Sequence, residues 1–230
     1  MNYSAQARFF PIVLSAIPLT FALSYGYVIH EYPQVDLTCK IMRIVQGLIP
    51  STFVTAALGF LLKDVVRWFS ILTVQRFFFG KDGENCPTTM MLLWSTTDSP
   101  ISSQYKTKIA QKVEHDFGIS LMSAQEEAEN PREAKKRICD SVSLIRNRTR
   151  DDKILLGYNI TYGFARNSIG AGILSFMGLL FVSLYMNFPL ITLILIAIQI
   201  LLIAFWASTI KSRATSYAKA LFSAYINIGN

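Results

Sequence analysis

The sequence predicts an all-α integral membrane protein in which two transmembrane helical hairpins flank a helical cytoplasmic insert. Three observations predict this. Residues 169–210 are 42 residues without Asp, Glu, Lys, Arg or His. About 20 mostly apolar residues cross a bilayer core, so this run is long enough to cross twice. Two more uncharged runs, 9–29 and 44–62, lie near the N-terminus. Between them, residues 63–168 hold 16 of the 22 Lys and Arg and 13 of the 15 Asp and Glu. The expected organisation is an N-terminal hairpin over 1–62, a cytoplasmic helical domain over 63–168, a C-terminal hairpin over 169–210 and a short cytoplasmic tail over 211–230.

The first span opens at Phe9-Phe10-Pro11, where proline is tolerated in a first helical turn. A single Arg8, a long apolar core and no small-x-small site argue against a cleaved signal peptide. The second run carries Gln46, Gly47, Pro50, Ser51, Thr52 and Thr55. Pro50 predicts a kink, and a buried or interfacial helix is the alternative for this run. In the long run, Asn187-Phe188-Pro189 predicts the turn, because proline cannot donate a helical hydrogen bond. The positive-inside rule sets the sides. Arg8, Lys63, Arg67, Arg76, Arg166, Lys211, Arg213 and Lys219 place both termini and the insert in the cytoplasm. Lys40 and Arg43, in the opposite loop, run against the rule. Tyr25, Tyr27, Tyr32 and Trp206 fall where interfacial aromatics belong.

The insert reads as helical. The second span continues to Phe79 and stops at Gly80. Residues 81–85 form a loop, and Met90–Trp94 is too short to assign. Ser99 or Ser102 caps a helix that Gly118 closes. Ser123-Ala124-Gln125-Glu126 fits a capping box. Asn130-Pro131 opens a helix to about Arg150, burying Ala134, Ile138, Val142 and Ile145. Asp151 or Asp152 caps a last helix that runs into the third span.

Candidate chemistry is sparse. No phosphate loop, Gly-x-Ser-x-Gly or metalloprotease helix motif occurs, and no catalytic, metal or cofactor set is expected. His30 reads as interfacial, and His115 as a cation at a helix end between Glu114 and Asp116. Cys39, Cys86 and Cys139 lack paired zinc spacing. Glu126-Glu127-x-Glu129 reads as a solvated face.

Binding surfaces are better supported. Arg132, Lys135, Lys136 and Arg137 cluster on one helix, with Arg146, Arg148, Arg150 and Lys153 further along. Lys135 and Arg146 fall within about 20° of each other on a helix, as do Lys136 and Lys153 if that helix is unbroken. Such a stripe can meet phosphate backbones or anionic headgroups, or be a solvated, salt-bridged face. Gly157 and Gly163, with Tyr158 and Tyr162, suggest either close helix packing or a hinge into the third span. Gly170, Gly172 and Gly178 give that span a small-residue face, expected to form homo-oligomers. Gln46, Thr52, Thr55 and Gln199 are candidates to line a pore in such an oligomer.

The segments Pro87-Thr88-Thr89 with Asp98, Asn147-Arg148-Thr149-Arg150-Asp151, and Tyr162-Gly163-Phe164-x-Arg166-Asn167 before a hydrophobic hairpin resemble a group of small bacterial membrane proteins. The chain as a whole resembles the transmembrane effectors of retron anti-phage systems. That resemblance implies a non-enzymatic toxin of the bacterial inner membrane, serving abortive infection. It would be held silent by a retron reverse transcriptase and its RNA-linked DNA, and would disrupt the lipid bilayer on release. A non-toxic membrane scaffold or receptor that recruits a cytoplasmic partner is the alternative. A transporter ranks behind both, because only Pro18 and Pro50 suggest broken helices.

Overall fold

In the computed structural model, the described residues are 3–32, 34–81, 84–186 and 189–228; all their regular structure is helical, with no strand among them. A π-helical turn, Ala5–Phe9, leads into α1, Phe10–Glu31. Helix α2, Leu37–Ser70, starts where the Asp36 carboxylate accepts from the Thr38 N–H at 3.1 Å. It continues through a π-helical turn, Ile71–Gln75, into α3, Arg76–Phe79. Gly80 ends it at φ 75°, in the left-handed region where a side chain is strained.

Four short and medium helices follow. These are α4, Pro87–Met90; α5, Ser103–Phe117; α6, Ala124–Glu129; and α7, Pro131–Arg148. Ser102 caps α5, and Gly118 closes it with φ 67°. Ser123 and Glu126 form the reciprocal capping box of α6, and Asn130 caps α7. Asp152 accepts from the Leu155 N–H at 2.8 Å and starts α8, which runs unbroken over Lys153–Tyr185. Helix α9 spans Leu190–Asn227. The turn expected at Asn187-Phe188 lies outside the described residues, as do Asp82 and Gly83 of the expected loop.

Four stretches are long and apolar enough to cross a bilayer: Ala5–Glu31, Thr38–Phe79, Lys153–Tyr185 and Leu190–Asn227. This is the composition of a membrane protein. The chain divides into two compact units. The first comprises Met1–Val74 and Gly163–Ile210, the second Gln75–Tyr162 and Lys211–Asn230.

The first unit is held by a small apolar core and by polar seams. Ala22, Leu179 and Leu195 cluster, as do Ile12, Val66 and Ala171. Hydrogen bonds tie α1 to α2 at Thr20–Thr55 (3.1 Å) and Ser24–Ser51 (3.2 Å). Others tie α8 to α1 and to the turn before it: Ser15 Oγ donates to the Ser168 carbonyl, and Asn167 Nδ2 to the Ala7 carbonyl at 2.6 Å. Ser183 and Thr192 join α8 to α9 at 2.9 Å, and Gln199 Nε2 donates to the Gly172 carbonyl. Between apolar helices in lipid there is no hydrophobic drive to associate, so such bonds and small-residue contacts do that work. The outward face of α2 is apolar: Phe53, Phe60, Leu61 and Trp68 are all exposed.

The second unit has a conventional buried core. Ile109 and Val113 of α5 pack with Ala134, Ile138, Val142 and Ile145 of α7. Tyr217, Ala218, Leu221, Phe222, Tyr225 and Ile226 join the same cluster. Residues 211–230, expected to be a tail, therefore supply much of this core. They recur at three- and four-residue spacing, which gives α9 a stripe to bury.

Candidate functional site

The best candidate is a groove on α7. It has a volume of about 580 Å³ and is lined by Glu84, Pro131, Arg132, Lys135, Lys136 and Cys139. Pro131 begins the helix, so the basic residues at the second, fifth and sixth positions fall on one side of its first turns. The adjoining face carries Ala134, Ile138, Val142 and Ile145 into the core. Burial of that stripe fixes which way the cations point. Lys135 Nζ reaches Asn85 Oδ1 at 3.5 Å, and the Cys139 thiol lies 3.6 Å from the Thr89 hydroxyl. Among the described residues three cations and one acid, Glu84, line the groove, so it is suited to an anion.

The other predicted basic residues go elsewhere. Arg137 pairs with Glu133 at 3.1 Å and reaches the Ser120 carbonyl. Arg146 lies over the Tyr217 ring at 5.8 Å. Arg148 sits 4.0 Å from Asp116. Arg150 and Lys153 are exposed, and α7 ends at Arg148 before α8 begins at Lys153. The helix is broken there, so Lys153 does not extend the stripe of Lys136. Of eight predicted cations, three line the groove.

Asp116 is a second polar centre. It accepts from the Tyr225 hydroxyl at 3.1 Å, while His115 Nδ1 lies 3.0 Å away. The His115 hydrogen bond, helped by Tyr225, Lys112 and Arg148, holds its carboxyl below the usual carboxylate range, against burial, which acts the other way.

A third centre was misread from sequence. Glu127, expected on a solvated face, is only 3% exposed. Its two oxygens accept from the backbone N–H groups of Trp94 (2.8 Å) and Ser95 (2.9 Å). Lys106, also buried, donates to the Leu93 carbonyl. Burial lowers the Lys106 pKa, while Glu127 acts to raise it. These two side chains fasten the irregular segment after α4 at three consecutive residues, Leu93, Trp94 and Ser95. The capping box at Ser123 fixes the phase of α6, and that phase turns Glu127 inward.

The glycines also resolve. A Cβ at Gly163 would meet Ala7 and Tyr3 at 3.2 and 3.3 Å, so close packing is its role here. Nothing lies within 4 Å of such a Cβ at Gly157. Gly170 abuts Ser70 of α2, Gly172 abuts Ile203 and Gln199 of α9, and Gly178 abuts Leu19 of α1. The small-residue face of α8, expected to meet other copies, is occupied by the chain's own helices. Three of the four candidate pore-lining residues are likewise engaged, Thr55 with Thr20, Thr52 with the Leu48 carbonyl and Gln199 with Gly172, while Gln46 lines a groove between α1 and α2.

Among the described residues, no group of three His, Cys, Asp or Glu is placed to hold a metal ion. No protein-family model, curated protein or solved structure matches this chain.

Proposed function

We propose that the chain is a membrane-embedded effector, restrained through its second unit by an anionic, nucleic-acid-bearing partner. The observation that carries this is the groove of Arg132, Lys135 and Lys136, with one opposing acid, in a chain that also has four bilayer-length helices. Three phosphate contacts of this kind bind sequence-independently and weaken steeply with salt. The resemblance of the sequence to retron effectors supports the RNA-linked DNA and its reverse transcriptase as that partner. On this proposal α1–α2 and α8–α9 cross the bacterial inner membrane as two hairpins. The termini and the second unit face the cytoplasm, and loss of the partner frees the chain to breach the bilayer in abortive infection without enzymatic chemistry.

The test is inducible expression in cells carrying a voltage-sensitive dye. The wild-type chain alone should depolarise them, and co-expressed reverse transcriptase with its RNA should cancel the effect. A Lys135→Glu/Lys136→Glu variant should escape that restraint while keeping its toxicity. No depolarisation by the wild type, or full restraint of the variant, refutes the proposal.

One observation favours a second function. Thr20, Thr55, Ser24, Ser51 and Gln199 of the first unit are tied up in helix–helix hydrogen bonds, which suits a sealed, non-toxic scaffold that recruits a partner to the membrane. Expression without depolarisation, together with partner recruitment that Lys135→Glu/Lys136→Glu abolishes, would establish that function instead.

A further inference from the structure

At the end of α1–α2 that carries Tyr32, away from the Arg8–Asp64 pair, the two helices leave a groove of about 530 Å³. That volume lies within the range of ligand sites. Its walls are one face of each helix. Leu23, Ser24, Tyr27 and Val28 come from α1, and Arg43, Gln46, Gly47, Pro50, Ser51 and Val54 from α2. The α2 positions recur at three- and four-residue spacing, so a single stripe faces the groove. Two of them keep it open. Gly47 has no side chain, and its nearest neighbour in this sense is Ser24 at 4.0 Å. Pro50 offers no N–H to the preceding turn. The Ser24–Ser51 hydrogen bond spans the two helices beside it.

The charge at this groove is unbalanced. Arg43 lies over the Tyr32 ring at 3.9 Å, and Tyr27 meets Tyr32 edge-on. The neighbouring acids are engaged otherwise: Glu31 lies 3.4 Å from His30 Nδ1, and Asp36 caps α2. Among the described residues no carboxylate pairs with Arg43. A guanidinium held on an aromatic face is pre-oriented and keeps its donors for a phosphate. It also stands at the end of two apolar helices, the level at which headgroups lie.

We propose that this groove binds one anionic phospholipid, its phosphate on Arg43 and an acyl chain along the exposed Leu23, Tyr27 and Val54. Basic pockets between membrane helices take such headgroups. The stacked arginine sets the headgroup preference, and Gly47 and Pro50 provide the space for the chain. This also gives a role to Arg43, a base near the start of α2 on the side where the positive-inside rule expects few.

The test is native mass spectrometry of the full chain in detergent with phosphatidylglycerol or phosphatidylcholine added, scoring the first retained lipid. The wild type should prefer phosphatidylglycerol by about fivefold, the worth of one arginine near an anionic lipid. Arg43→Ala should erase the preference while still retaining lipid, and Arg43→Lys should keep part of it. Gly47→Leu fills the groove with Arg43 intact and should lose retention of both lipids. Circular dichroism melts of each variant check that the helices persist; a variant that has melted is replaced by Tyr32→Leu, which should weaken the preference without removing the charge. Equal retention of the two lipids by the wild type, or an unchanged preference in Arg43→Ala, overturns the proposal. So does undiminished binding by Gly47→Leu. None of these readouts depends on toxicity, so the proposal stands or falls apart from the effector function.

Discussion

Replacing Glu127 by Ala should unfasten the segment after α4 and destabilise the second unit. The wild-type carboxylate satisfies two backbone N–H groups, those of Trp94 and Ser95. It is 3% exposed, whereas Trp94 is half-buried and Ser95 is exposed, so water can take its place at Ser95 more readily than at Trp94. A shielded donor left without an acceptor costs about 1–3 kcal/mol, and the Trp94 N–H carries most of the loss. Removal of the carboxylate also takes away the negative potential that offsets the buried Lys106 ammonium. For a unit of this size the loss should lower the melting temperature by roughly 5 °C or more. Glu127→Gln keeps one carbonyl oxygen and should cost about half as much. The assay is thermal unfolding of the full chain in detergent, followed by circular dichroism and by Trp94 fluorescence. Trp94 also donates its indole N–H to the Met122 carbonyl at 3.1 Å, so its emission reports on the same segment. An unchanged melt for Glu127→Ala would refute the claim that these bonds hold the segment. The same holds if Glu127→Gln proved more damaging than Glu127→Ala.

Three other outcomes are expected. Gly170→Ala places a methyl group on Ser70, 3.2 Å from its Cα, and should cost about 1–3 kcal/mol in detergent melts; Ser70→Gly in the same chain should restore part of the loss, and no restoration would show that the contact is not the cause. Asp116 has a folded pKa below its ordinary 3.8, so its stabilising contribution is complete above that value and lost as pH falls through the depressed one; Asp116→Asn should flatten the acid end of a stability–pH curve, and an unaltered curve would remove Asp116 from the account. Ser175→Ala should be neutral or stabilising in the same melts, because the Ser175 hydroxyl is buried without a hydrogen-bond partner; a loss above about 1 kcal/mol would show that it has one.

What the sequence made legible was chemistry that acts over one helical turn. Ser102, the Ser123–Glu126 box, Asn130, Asp152, Gly80 and Gly118 all bound helices where their side chains or backbone freedom indicated. Charge-free length likewise marked the four long apolar helices, because that property needs no knowledge of neighbours. Long-range pairing was not legible. Arg148 meets Asp116 and Arg146 covers Tyr217, and both partners come from distant parts of the chain, so the basic stripe could not be divided in advance. Glu127 misled because its neighbours Glu126 and Glu129 are exposed; its burial depends on what α6 packs against. The 211–230 segment was misjudged for a different reason. Its apolar spacing was visible at Tyr217, Leu221 and Tyr225, but its position after a span suggested a tail. Gly157 and Gly163, with Tyr158 and Tyr162, left close packing and a hinge both open. The role of Gly163 and Asn167, seating the π-helical turn at Ala7, needed the partner helix to be seen.

The closing residues of α9 set a schedule on biosynthesis. Leu221, Phe222, Tyr225 and Ile226 complete a core whose other walls, on α5 and α7, leave the ribosome more than seventy residues earlier. Until translation reaches them, those walls expose Ile109, Val113 and Ile145 to solvent or to chaperones. The unit that begins at Gln75 is thus completed only by the last turns of α9, the fourth apolar helix.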